Sequence, residues 1–229
     1  MNQKLKKILI VSITANLIFV IVAAVLLSRA YYKKIVKPNQ RDYYQDKVSL
    51  FRIERRTGGG IVFIGDSLTD RCEWSELLNR CDVVNRGIDG DTTDGVLDRI
   101  SDVTKLKPAQ LFIMVGGNDI VHGRKEREIA DNYRKILARI RAESPLTRIY
   151  VQSILPTVYQ IVPLLRNSIQ ELNGRLKTFA DNRQVIYVDI YTHMADKNGD
   201  LKSAYTSDGT HLNGRGYLVW RDVLRRYIK

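Results

Sequence analysis

The chain has 229 residues, 44% of them hydrophobic and 27% charged, with only five prolines. That supplies one sizeable domain and excludes a low-complexity or collagen-like polymer. A formal charge of +12 taken alone would point to nucleic acid or an anionic surface. The excess is local, however: residues 1–56 hold 12 Lys and Arg against Asp42, Asp46 and Glu54, whereas residues 57–229 hold 25 basic against 22 acidic side chains. The basic character belongs to a leader, and no nucleic-acid partner is expected.

In chain order, a basic tail (1–7, with Lys4, Lys6 and Lys7) precedes an uncharged stretch at 8–28. Within it Ile8–Leu27 is almost wholly apolar, and at about 1.5 Å per residue it spans roughly 30 Å, the depth of a bilayer's hydrocarbon core. A core helix would carry a polar face, and here only Ser12, Thr14 and Asn16 are polar. The apolar run also exceeds the usual length of a signal peptide, although Ser28-Arg29-Ala30 offers a small-x-small cleavage site. The reading is a single-pass membrane anchor. Residues 29–57 form a basic juxtamembrane connector, helical around Tyr43–Arg56 and ended by Gly58-Gly59-Gly60. Arg29, Lys33, Lys34, Lys37 and Arg41 after the span outnumber the lysines before it, so positive charge does not favour export of the downstream domain. Cys72 and Cys81 permit a disulfide in an exported domain, and equally two unpaired small hydrophobes.

From 58 to 229 the pattern changes. Short runs rich in branched residues at Ile61–Ile64, Val83–Val84, Leu111–Val115, Ile149–Ile154 and Val185–Val188 predict strands. Between them lie helical stripes, Ile129-Tyr133-Ile136-Leu137-Ile140 and Leu164-Leu165-Ile169-Leu172-Leu176-Phe179, and Leu212–Ile228 predicts a closing helix. Strands alternating with helices indicate one α/β domain with a parallel sheet of five strands covered on both faces.

The polar residues fall where such sheets bind ligands, beyond the carboxyl ends of the strands. The first strand ends in Gly65-Asp66-Ser67-Leu68, the second in Asn85-Arg86-Gly87, the third in Gly116-Gly117-Asn118-Asp119. With strands two, one and three as neighbours, a hydroxyl, a glycine amide and a carboxamide surround one small volume, a set suited to acyl transfer. Of the three histidines, His211 follows Asp208 by three residues, close enough to be oriented by it. His122 can line the pocket without such a partner, and His193 reads as a structural or surface residue.

These blocks, Gly65-Asp66-Ser67-Leu68, Gly87, Gly116-x-Asn118-Asp119 and Asp208-x-x-His211, resemble in order and spacing the SGNH, or GDSL, hydrolases over roughly residues 61–228. Gly87–Thr93 further resembles the branch of the platelet-activating-factor acetylhydrolase alpha subunits and bacterial O-acetylesterases. The resemblance implies a flavodoxin-like three-layer fold with sheet order 2-1-3-4-5 and a Ser67, His211, Asp208 triad. It implies an oxyanion hole from the Ser67 and Gly87 amides and the Asn118 side chain, with no metal or organic cofactor. It also implies hydrolysis of a small acyl ester, acetyl above all and on a glycan in some members, by an extracytoplasmic domain. The rivals are a lysophospholipase or thioesterase, an acyltransferase of the same family, and a non-catalytic tethered binding domain. Asp66 and Asp119 read as turn-holding residues. The runs Asp89-Asp91-Asp94 and Asp196-Asn198-Asp200 lack the Gly and Glu of a calcium loop and read as turns. Trp74 and Trp220 read as packing, and the Arg134, Lys135, Arg139 and Arg141 face as a solvated helix surface.

Overall fold

The computed structural model describes residues 2–31, 37–53, 59–158 and 163–229. The expectations that fall on Lys33, Lys34, Gly58 and the 54–56 end of the connector helix lie outside the described residues. Two compact units are present, Met1–Gln45 and Asp46–Lys229. In the first, helix α1 (Gln3–Tyr31) covers the predicted span; its mean hydropathy reaches 2.8 and none of that stretch is buried. It is long and apolar enough to cross a membrane, as a signal sequence also is. Helix α2 (Lys37–Ile53) follows, and from Asp46 onward it is part of the second unit, upstream of the start expected at residue 58.

The second unit is built on a parallel sheet in the order β2-β1-β3-β4-β5. The strands are β1 (Ile61–Gly65), β2 (Val83–Gly87), β3 (Gln110–Met114), β4 (Arg148–Gln152) and β5 (Val185–Val188). All five residues of the inner strands β1 and β3 are buried, whereas the edge strands β2 and β5 each leave two half-exposed. That is why the inner strands read as unbroken apolar runs.

The connections supply the helices. The first passes from β1 through α3 (Ser67–Asp70) and α4 (Trp74–Leu78) to β2. The next reverse direction through α5 (Thr93–Thr104), then α6 (Gly117–Val121) with α7 (Glu126–Glu143), then α8 (Pro163–Lys177). Right-handed crossovers therefore put α5, α7 and α8 on one face, where they pack side by side, and α3 and α4 on the other. After β5 the chain forms α9 (Tyr191–Met194) and a 3-10 turn at Ser203–Tyr205. It closes with α10 (Gly214–Leu224), which packs on α4 and α9. Aromatic rings seal that layer to the sheet. Phe63 lies 4.0 Å from Trp74 and 4.9 Å from Phe112 in stacked geometry, and Trp220 meets Trp74 edge-on at 5.0 Å. Both tryptophans are core residues, and the Trp220 indole donates to Gln152. Cys72 is buried and Cys81 exposed, and no disulfide joins them.

Candidate active site

The site is made where β1, β2 and β3 end. Asp66 leaves β1 and caps α3 by accepting the Leu68 N–H, so Ser67 becomes the first residue of a helical turn. Its hydroxyl lies 3.1 Å from His211 Nε2, across 144 residues of sequence. His211 Nδ1 lies 2.7 Å from Asp208 Oδ2. The other carboxylate oxygen of Asp208 accepts the amides of Thr210 (2.9 Å) and His211 (2.7 Å), so the loop grips the residue that orients its own histidine. The ring contact, reinforced by these two amides, holds the Asp208 carboxyl well below the usual carboxylate range. The Val158 amide donates to the Gly209 carbonyl at 2.7 Å, which ties this loop to the segment after β4. Tyr217 of α10 donates to the Leu68 carbonyl, which joins the last helix to α3.

The structure thus brings Ser67, Asp208 and His211 together. It does not bring the other histidines: His122 faces a polar depression beside Arg124 and Glu128, and His193 is exposed on α9. Asn118, in the first turn of α6, donates one carboxamide N–H to the Asp91 carbonyl at 2.9 Å, leaving the second free to turn toward Ser67.

Gly87 is where the sequence expectation needs correcting. Its amide already donates to Asn85 Oδ1 at 2.8 Å. Its missing side chain is explained by packing: a Cβ there would stand 2.2 Å from the Asp70 amide nitrogen. Along the loop after β2, Ile88 donates to Gly65, Asp89 to Asp70, Asp91 to Ile88, Thr92 to its neighbour Asp91 and Thr93 to Asp119. Among the described residues, the amide of this run left without a partner is that of Gly90, whose φ of +76° only glycine adopts readily. Gly90 was present in the sequence motif, and the sign that could have marked it was a glycine amid turn-forming aspartates. Ser67 and Asn118 line the same cavity, and the Gly90 amide remains available in the adjoining loop.

The aspartates around this loop each have a separate partner, as turn-holding residues should. Asp119, buried, accepts the Thr93 amide (2.9 Å) and hydroxyl (2.6 Å). Asp91 pairs with Arg99 at 2.8 Å, both almost inaccessible, and Asp89 with the exposed Arg71. Asp196 accepts amides of its own loop. Burial, with Asp91, Asp89 and Asp119 nearby, pushes the Asp66 carboxyl up to about 7. Beside Ser67 opens a cavity of about 90 Å³ walled by Leu68, Met114, Ile120, Ile154, Leu155 and Ile169, with Asn118 and Thr210 at its polar side.

A hydroxyl on an imidazole on a carboxylate, with amide donors opposite and an apolar cavity beside, is chemistry for transferring an acyl group. Comparison with known proteins agrees. Human platelet-activating factor acetylhydrolase IB subunit alpha2 is 29% identical over 164 residues, covering 69% of this chain and 70% of that one. A solved structure from Streptococcus pneumonia, whose description refers to platelet activating factor, superposes with a TM-score of 0.74 at 29% identity, covering 91% of this chain and 99% of that one. An acetyl-xylooligosaccharide esterase from Geobacillus Stearmophilus shares the fold, with a TM-score of 0.59 at 21% identity over 76% of this chain and 97% of its own. Residues 63–219 match the family of GDSL-like lipases and acylhydrolases, and the chain belongs to it.

Proposed function

We propose that this acylhydrolase is a membrane-tethered serine esterase that removes short acyl groups, acetyl first, from an ester such as an O-acetylated glycan. The observation that carries the reading is the contact series Ser67 Oγ to His211 Nε2 at 3.1 Å and His211 Nδ1 to Asp208 at 2.7 Å, beside a small apolar cavity. Ser67 attacks the ester carbonyl carbon as its proton passes to His211 Nε2. Asp208, ionised and fixed by two amides, keeps the imidazole's other N–H pointed toward itself and stabilises the imidazolium. The carbonyl oxygen, now negative, is received by the Ser67 and Gly90 amides and the free Asn118 N–H. His211 returns the proton to the departing alcohol, leaving an acyl ester on Ser67. Water, deprotonated by His211, then attacks that ester, and the acid departs as the Ser67 oxygen leaves and takes the proton back from His211. No step calls on a metal or organic cofactor. The acetyl assignment draws on the cavity's size and on the acetyl esters named for the relatives above. The tether draws on α1, and the extracytoplasmic side on the resemblance noted from sequence.

A second reading, a lysophospholipase or thioesterase, draws on the apolar lining of the same cavity. Nitrophenyl esters of increasing chain length separate the two: activity concentrated on acetyl and propionyl supports the first, and a maximum beyond six carbons the second. A fluorophosphonate probe should label the wild-type protein on Ser67, with labelling and hydrolysis both lost in Ser67→Ala. Full activity in that variant would sink the proposed mechanism.

A further inference from the structure

The second half of α2 is tied into the loop that carries the candidate oxyanion donors. Val48 and Phe51 are buried, at 4% and 8% exposure, although they lie in what reads from sequence as a basic leash. The Phe51 ring meets three cations. The Arg86 guanidinium lies 4.6 Å from its centroid, Lys47 Nζ 5.4 Å and the Arg99 guanidinium 5.9 Å. Cation–π attraction grows when the cation is desolvated, and Arg86 and Arg99 are almost wholly buried.

Two of these cations lead to the Gly87–Asp91 loop. Lys47 Nζ sits 2.6 Å from Asp70 Oδ1, and Asp70 Oδ2 accepts the Asp89 amide at 3.0 Å. Arg99 grips Asp91, whose carbonyl in turn holds the Asn118 carboxamide. Gly90 lies between Asp89 and Asp91, so both flanks of the unpartnered amide are pinned by groups that α2 contacts. The pinning has an electrostatic cost that α2 offsets. The Asp70 carboxylate is only 6% exposed, and withdrawing a cation from a nearly buried carboxylate leaves a poorly compensated charge that destabilises the arrangement around it.

We propose that Lys47 and Phe51 are positioning residues for hydrolysis: the membrane-proximal helix holds the Gly87–Asp91 loop in the shape that presents the Gly90 amide and Asn118 to the oxyanion. This rests on the esterase reading above. It makes the connector a working part of the hydrolase as well as a tether.

The test uses the full chain with Lys47→Met, which keeps the apolar stem and removes the charge, Lys47→Arg, which restores a cation, and Phe51→Leu, which keeps apolar burial and removes the ring. Two readouts are taken: kcat and KM on a nitrophenyl ester, and amide hydrogen exchange of the peptide spanning 86–93. The expected result for Lys47→Met is faster exchange in that peptide and a kcat about tenfold lower, a fraction of the loss of a whole oxyanion donor, with KM within about twofold. Lys47→Arg should recover both, and Phe51→Leu should move both in the same direction as Lys47→Met. Unchanged exchange, or faster exchange with unchanged kcat, overturns the proposal. If wild type hydrolyses no ester while the exchange response is present, it is the esterase reading that fails, and the attachment of the loop to α2 stands.

Discussion

At the residue scale the decisive question is which N–H groups are free. Ser67, Asp208 and His211 were legible in the sequence because their spacing relative to strand ends leaves little choice. The occupation of the Gly87 amide by the Asn85 side chain two residues back was not, because that contact is invisible to motif spacing. If Gly90 is the donor, phosphonylating Ser67 should shift the Gly90 amide proton strongly downfield in NMR spectra and leave Gly87 nearly unmoved. Asn118→Ala should lower kcat by roughly 10²–10³-fold with little change in KM, as expected for a lost donor. Asp66 gives a pH prediction. Burial raises its carboxyl from 3.8 to about 7, so between these values the native state keeps a proton that the unfolded chain has released. Stability from this group is therefore present below about pH 4 and declines as pH rises to 7, by at most about 4 kcal/mol. Asp66→Asn keeps the helix cap and removes the titration, so its denaturation midpoint should vary less across that window. An undiminished pH dependence in the variant would assign it to other groups.

At the scale of elements, the parallel sheet was readable because inner strands buried on both faces must be continuously apolar, as Ile61–Ile64 and Leu111–Val115 are. The site's supports were harder to read. Thr93 with Asp119 and Val158 with Gly209 join residues far apart in sequence, and neither a lone carboxylate nor a loop amide carries periodicity. The packing of α2 was missed for a related reason: Val48 and Phe51 are buried while Leu50 and Ile53 beside them are exposed, and two of the three cations on the Phe51 ring come from β2 and α5. Where α3 crosses β2, the close approach at Gly87 yields a structural prediction. Gly87→Ala would push a methyl into the Asp70 backbone, so urea denaturation should give a loss of about 1–3 kcal/mol or more. Wild-type stability in that variant would mean that the two elements separate easily.

At the scale of the whole molecule, one apolar helix precedes one hydrolase domain, and the proposed arrangement puts the domain outside the cytoplasm. Protease added to intact cells should then remove an epitope placed after Lys229, and protection until detergent is added would put the domain inside. Cys72 and Cys81 form no disulfide and do not decide the compartment; burial pushes the Cys72 thiol up to about 12. The separation of Ser67 from His211, its proposed base, by 144 residues has a further consequence during synthesis. Chains emerge from the ribosome at about 5–20 residues per second, so the nucleophile appears roughly 7–30 s before the imidazole that activates it. The sheet strands that flank Ser67 are complete early, but the hydroxyl stays unactivated until the loop at 206–211 arrives and docks against the segment after β4. On the proposed mechanism, a nascent chain is therefore chemically silent toward esters until that loop has docked.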